Sequence, residues 1–475
     1  MSGVNLLFFR IKNFCIRTVR RQEIVICGIA EKELPLAPGL ELCGYIGRTH
    51  GAEGTRDPLK IKALYLENQT EKFLLISCDL LGMERVLTDK AAMAIEQKTG
   101  IPKEKIIICC THTHSAPAAI YLAGCGEKNP DFLTVLHRTI LDAAVRAVES
   151  RKPAELFFSA GKTEIAVNRV LSQMWGSDQT ENWEVRNWDE EDCGEELRNV
   201  SELRKTSLKE VDDELLVVQL MDGNERMGLV VNLACHPVTF EPNHYRYSAD
   251  FFGEAEKKIQ KKLGKNIPVL FLNGCCGDLN PRERGGEQGA VSIGHMLAKD
   301  VLQAIDMRQP VSENLKLSNL TVEVPLDIGF DRESLKRRIS VYQDGIERET
   351  GLAGMIYSVY LNWGREMMLH LENGTLPRRI TSSVTVAQLG SLTMVFVPFE
   401  LFTEVGLLIK QLYGAGNTMV VAYANGEEGY FISETLYPYA KYERRESFKF
   451  THNPGPPVAK AQTMLLEALR KGERG

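Results

Sequence analysis

The chain has 475 residues, is 44% hydrophobic and 25% charged, and carries a formal net charge of −6 with a pI near 6.0. Those values are ordinary for a globular protein with a sizeable core, and the acidic balance argues against nucleic acid or a basic membrane-docking face as partner. The 11 cysteines are an odd count without a CxxC pair, which excludes full intramolecular disulfide pairing and argues against a zinc ribbon or thioredoxin-like centre, so a reducing, cytoplasmic location is expected.

No apolar run approaches the length of a transmembrane helix. The opening MSGVNLLFFRIK has only a four-residue apolar block before Arg10, too short for a signal-peptide core, and residues 1–22 read as an N-terminal extension. Apolar, β-favouring runs at 24–29, 61–66 and 73–78 predict strands. The last ends in Asp79, a site carboxylate or a helix cap, before a helical pattern at 84–98. Residues 35–58, with five glycines and with Arg48 and Arg56, form a turn-rich loop placed to line a site.

Residues 106–117, IIICCTHTHSAP, carry the strongest signal. A strand delivers His112 and His114 into a turn; if the chain stays extended past Thr111, both imidazoles project to the same side, as a metal site or an acid/base pair requires. An amphipathic helix follows at 131–150, then strands at 156–160 and 164–167 leading to Asn168 and Arg169. Residues 172–209 are polar, contain Trp175 and Trp183, and read as a long surface excursion able to serve as a lid.

Strands at 215–219 and 228–234 pair around Asp222 and Gly223, and the second runs into Cys235, His236 and Pro237. After a helix at 249–262, a strand at 269–272 enters NGCCGDLNPR, where Gly274 and Gly277 bracket a turn whose N–H groups suit an anion. A helix at 287–307 and a strand at 315–326 come next, then two helical stretches within 331–371 about a break at 351–354, read as an antiparallel surface pair. Strands at 380–389 and 392–397 form a hairpin and lead to Glu400, followed by a helix at 402–412, a strand at 419–423, the segment ANGEEGYF and a final helix at 457–469.

The expected fold is α/β, a mixed β-sheet core flanked by helices with the active site at the C-terminal ends of strands. Asp79, the His112/His114 pair, His236, Glu400 and the 425–430 segment all follow apolar strands. Two or three histidines with a carboxylate are the donor set of a catalytic zinc with an open position, which lowers the pKa of water and polarises a carbonyl. A glycosidase would leave the histidines without a role, and a serine elbow is excluded because no GxSxG occurs. A thiol nucleophile, Cys275 or Cys276 with His236, stays open beside the reading of both as inert buried thiols.

THTHSAP, the ACHP at His236, NGCCGDLNP, the PFE ending at Glu400, and a Gly429–Tyr430 pair followed by Tyr442 resemble, in chain order, the catalytic domain of the neutral (alkaline, non-lysosomal) ceramidase family. GIAEKELPLAPGLELCGYIGR, DPLKIKALYLE and LLISCDLLG add to the likeness, which runs from about residue 27 to 446. The resemblance implies a ceramidase-like catalytic domain over 23–475 with a helical insertion near 331–372, ending before the family's C-terminal β-sandwich. It implies a zinc-dependent amidohydrolase of lipid metabolism, with Zn2+ held by His112, His236, Glu400 and Tyr430, or by Tyr423 or Tyr437 in place of Tyr430. His114 would be the acid/base group, and Arg169 and Tyr442 would orient the substrate and stabilise the oxyanion. Asp278 and Asn280 fall in the family's substrate-contacting GDxSP segment, where Asn280 replaces a serine, so the substrate is an N-acylated small molecule or amphiphile with ceramide one candidate among several. Rival readings are hydrolysis of an ester or another bond at the same centre, a catalytically degenerate ligand-binding relative, and a metal-free structural protein.

Overall fold

A computed structural model describes residues 25–174 and 209–473. The proposed 1–22 extension, and most of the segment expected to form a lid, lie outside the described residues. The expected α/β class is met, but with two stacked sheets rather than one.

The larger sheet runs Val269–Asn273, Glu225–Leu233, Glu214–Asp222, Lys152–Lys162, Val25–Glu33, Lys60–Glu67, Lys72–Cys78, Ile106–Cys110, with Gln309–Pro310 pairing beside Lys152–Lys162. Its interior pairs are antiparallel, and the pair at each end is parallel. Each parallel end is closed by a helical crossover, Arg85–Thr99 at one and Asp250–Leu263 at the other, as parallel neighbours require. The strand ends that carry His112 and His236 therefore point the same way as their partners.

Strand alternation assigns the two faces of the sheet. Leu74, Ile76 and Cys78 pack under helices Pro130–Glu149 and Arg85–Thr99, whereas Phe73 and Leu75 face a second sheet. That sheet runs Leu315–Pro325, Arg379–Leu389, Leu392–Phe396, Thr418–Val421, and meets the first through Ala387, Leu389, Met394, Phe396 and Met419. Its far face is covered by Thr403–Tyr413 and Ala461–Glu473 through Val405, Ile409, Leu465 and Leu469. The layers are thus helix, sheet, sheet, helix, and each fully buried Leu or Ile contributes roughly 2 kcal/mol.

The ends of the larger sheet curl toward each other, with the Ser77 hydroxyl donating to the Phe271 carbonyl at 2.7 Å. The chain beyond Val421 joins them: Ala422 N–H donates to Asn273 O at 3.0 Å and Cys110 N–H to Tyr423 O at 3.2 Å.

The helical pair is Arg332–Arg348 and Gly351–Asn373, so the break precedes Gly351 and the second helix runs through Gly354. It is more than a surface hairpin. Gly345 and Gly364 let the helices approach, since a Cβ there would meet the Tyr357 ring at 2.6 Å and Ile339 at 2.9 Å, and Tyr360 and Trp363 are buried with Phe450. The final helix begins at Ala461 rather than 457, because Pro456 and Pro457 hold the chain extended against Leu326 and Pro325.

Candidate metal centre

His112 is delivered by the strand Ile106–Cys110, but extension does not continue past it. His112 adopts φ +69°, a left-handed conformation rare for a non-glycine residue, fixed by its N–H donating to Leu80 O at 2.8 Å. The two imidazoles still share one place, ring centroids 5.1 Å apart, so a backbone turn unites them rather than strand alternation. His112 Nδ1 donates to Leu81 O at 2.8 Å, and His236 Nδ1 to Cys276 O at 2.9 Å. With Nδ1 as the N–H in both rings, both Nε2 atoms present lone pairs.

Those lone pairs converge. The two Nε2 atoms lie 3.0 Å apart, and Glu400 Oε2 lies 2.7 Å from that of His112 and 3.9 Å from that of His236. Three electron-rich atoms this close repel unless a proton or a cation lies among them. Asn273 locks the two histidine segments together, donating to Thr111 O at 3.0 Å and Cys235 O at 3.1 Å.

His114 Nδ1 meets Gly44 O at 3.1 Å, and Arg48 donates to the His114 carbonyl at 2.8 Å. Its Nε2 is buried with no hydrogen-bond partner among the described residues, a costly arrangement. Nearby groups of this kind, His112 with His114 and His236, and His112 with Glu400 and Glu427, could each hold a metal ion. The donor types and the orphaned Nε2 fit the zinc expected from the sequence.

Burial lowers the pKa of His114, reinforced by His112 and His236, and brings His236 down to about 3. Burial also works to raise Glu400, but the two imidazoles and the Tyr430 hydroxyl overcome it and bring the carboxyl down to about 2. For His112 the same contest goes to Glu400, which raises it against desolvation.

Tyr430 follows Gly429 in a short strand that pairs in parallel with Glu400, and its hydroxyl hydrogen-bonds that carboxylate. Tyr423 also reaches Glu400, at 3.3 Å, and its ring stacks on His112 with centroids 4.0 Å apart. Tyr437 is elsewhere, donating to Asp327 at 2.8 Å. Arg169 is buried, donates to Gly277 O at 2.7 Å, lies 3.4 Å from the Tyr430 hydroxyl and pairs with Glu443 at 2.6 Å. Tyr442 borders the same cleft, its ring 6.0 Å from that of Tyr430.

The cleft above these groups encloses about 690 Å³ including its open mouth. Its floor is His112, His114, Glu400, Glu427 and Tyr430, and Leu81, Leu122, Phe448, Phe450, Pro456 and Pro457 form apolar walls. Such a mixture suits an amphiphile with a polar reacting group.

Other expected residues are not brought to this cleft. Asp278 is fully buried and accepts from Thr403 N–H and Oγ1 at 2.8 Å each and from Asn168 Nδ2 at 2.7 Å. Asn280 lies in a short strand opposite Val167. Asp79 neither caps a helix nor joins the site; it accepts from Lys60 N–H at 2.9 Å and faces Lys62 at 3.8 Å. The turn N–H groups of Gly274 and Gly277 are consumed by Leu233 O at 2.7 Å and Leu401 O at 2.9 Å, so they offer no anion nest. Cys275 and Cys276 are buried, and burial pushes both thiols well up, which leaves them unreactive.

Sequence reasoning missed Glu427, although it had marked the segment ANGEEGYF as a strand end. Burial, with Glu400 and Glu428 beside it, pushes this carboxyl up to about 8 despite His112. It missed Gly44 as well. At φ +106°, a Cβ there would sit 2.5 Å from His114 Nδ1.

No family model matches the chain. Among solved structures it superposes on neutral ceramidase from Pseudomonas aeruginosa with a TM-score of 0.69 and 16% identity, over 95% of this chain and 75% of that one. A structure described as ceramidase complexed with C2 gives a TM-score of 0.69 and 15% identity, over 94% of this chain and 76% of that one. The fold of this chain is therefore that of neutral ceramidase, as the order of its sequence motifs had implied.

Proposed function

We propose that the chain is a zinc-dependent hydrolase that cleaves the amide C–N bond of an N-acylated amphiphile, ceramide-like in having an apolar acyl chain. The observation that carries this is the meeting of His112 Nε2, His236 Nε2 and Glu400 Oε2 at 2.7 to 3.9 Å, with both Nδ1 atoms committed to carbonyls. His112, His236 and Glu400 would hold the ion with Tyr430 as fourth donor, and a zinc ion there supplies Lewis-acid polarisation of the carbonyl and acidifies water.

His114 is the acid/base group. Its depressed pKa keeps it neutral near pH 7, and its Nε2 has no other partner among the described residues, so it takes the proton of the attacking water and returns it to the leaving amine nitrogen. Tyr442 donates to the oxyanion, a contact worth about a hundredfold or more in rate. Arg169 is committed to Glu443 and Gly277 O, so its part is to orient Tyr430 from the far side. The walls of Leu122, Phe448 and Phe450 receive the acyl chain.

The nine described cysteines are all free, which supports a reducing, cytoplasmic setting. Among the described residues no helix is long and apolar enough to cross a membrane. The test is metal content by mass spectrometry on dialysed wild type beside His236→Ala, followed by a panel of N-acyl amides and matched esters. Near-stoichiometric zinc lost in the variant, with amide turnover, supports the proposal. Wild type without metal refutes it, and turnover of esters alone moves the reading to an esterase at the same centre.

A further inference from the structure

Glu427 is part-buried, its side chain 9% exposed, and its Oε2 is buried with no hydrogen-bond partner among the described residues. That oxygen lies 3.7 Å from His112 Nδ1, on the side of the ring opposite Nε2. Gly82 makes the approach possible, because a Cβ at that position would stand 2.5 Å from Oε2. A buried carboxylate without a donor is expensive unless positive charge is near. Burial, Glu400 and Glu428 favour its neutral acid while no cation is beside it, and the adjacent centre, once loaded, would supply the opposing charge: a divalent cation, two neutral imidazoles and the Glu400 carboxylate sum to +1, which one further carboxylate cancels.

We infer that Glu427 is a positioning residue for the metal centre, setting with Leu81 O the orientation of His112 and balancing its charge from behind the ring. The inference rests on the proposed metal site and adds a group to it. The Nδ1 hydrogen of His112 goes to Leu81 O, so Glu427 acts on the ring electrostatically, from 3.7 Å; losing an outer partner of a ligating imidazole weakens metal binding about ten- to a hundredfold. Glu400 touches the shared Nε2 side of the site, whereas Glu427 acts through His112.

The test is the zinc affinity of the full chain, by competition with a chromogenic chelator, for wild type, Glu427→Gln and Gly82→Ala, with the visible spectrum of each Co2+ derivative. Gln keeps the shape and the hydrogen-bonding reach but not the charge. Both variants are expected to lose about ten- to a hundredfold in affinity, and the double variant no more than either, since both remove one contact. The cobalt band pattern is expected to stay, because the donor set is unchanged. Unchanged affinity in Glu427→Gln, or in Gly82→Ala should the former fail to fold, overturns the inference. A cobalt spectrum altered by Glu427→Gln also overturns it, by making Glu427 a ligand itself. Absence of metal from wild type defeats the proposed function first, a result distinguishable from wild-type binding that is indifferent to Glu427.

Discussion

Replacing Asp278 by Asn separates a structural role for this residue from contact with substrate. Asp278 ties Thr403, which opens the helix after Glu400, to Asn168, which precedes Arg169. In Asp278→Asn the amide oxygen still accepts from Thr403, but the new NH2 faces Asn168 Nδ2, donor to donor. Asn168 cannot flip to relieve this, because its Oδ1 accepts from Leu171 N–H at 3.0 Å and its Nδ2 also donates to Glu210 O at 3.0 Å. A buried donor left unpaired costs about 1–3 kcal/mol, and the two bonds to Thr403 each weaken by about 1 kcal/mol on losing the carboxylate charge, about 3–5 kcal/mol in all. Urea unfolding followed by circular dichroism should show a clearly lower midpoint for the variant, with turnover falling as folded protein is lost. An unchanged midpoint together with a raised KM would refute the reasoning and return Asp278 to the substrate.

Lys410 is buried between Asp212 at 2.6 Å and Glu214 at 2.9 Å, so Lys410→Met should cost about 3–5 kcal/mol in chemical denaturation by leaving a carboxylate unpaired. Gly44→Ala combines a strained φ with a clash against His114, and should lower kcat about a hundredfold while zinc content is retained, measured by turnover and mass spectrometry on the same sample. Asp250 is fully buried and desolvation raises its carboxyl from 3.8 to about 6. Between those two values the folded chain holds a proton that the unfolded chain has released, so stability falls as pH rises through the window, by about 3 kcal/mol in full above it. Unfolding midpoints from pH 4 to 7 should show this slope in wild type and not in Asp250→Asn; parallel profiles would dismiss it.

The elements and several donors were legible in the sequence because they depend on local pattern. Continuous apolar, β-favouring runs marked the strands that lead to His112, His236 and Glu400, the hairpin across Gly390 was marked by its turn, and the helices declared themselves by their spacing. Histidine and carboxylate types named a metal chemistry before any geometry, and the order of the motifs named the fold.

What only the tertiary structure decided is which strand ends share a place. Asp79, His112 and His236 look alike in sequence, yet the curl of the larger sheet and the bridge from Ala422 to Asn425 bring the two histidines together and leave Asp79 with Lys60 and Lys62. Gly274 and Gly277 promised free N–H groups, but pairing with Leu233 and Leu401 consumed them. Glu427 was one acidic residue of two in a loop until Gly82 and His112, more than 300 positions away in the chain, gave its oxygen a location. The physical reason is the same in each case: backbone periodicity is set by neighbours a few residues apart, whereas the environment that charges, orients or silences a polar side chain is made by strands and loops remote in sequence.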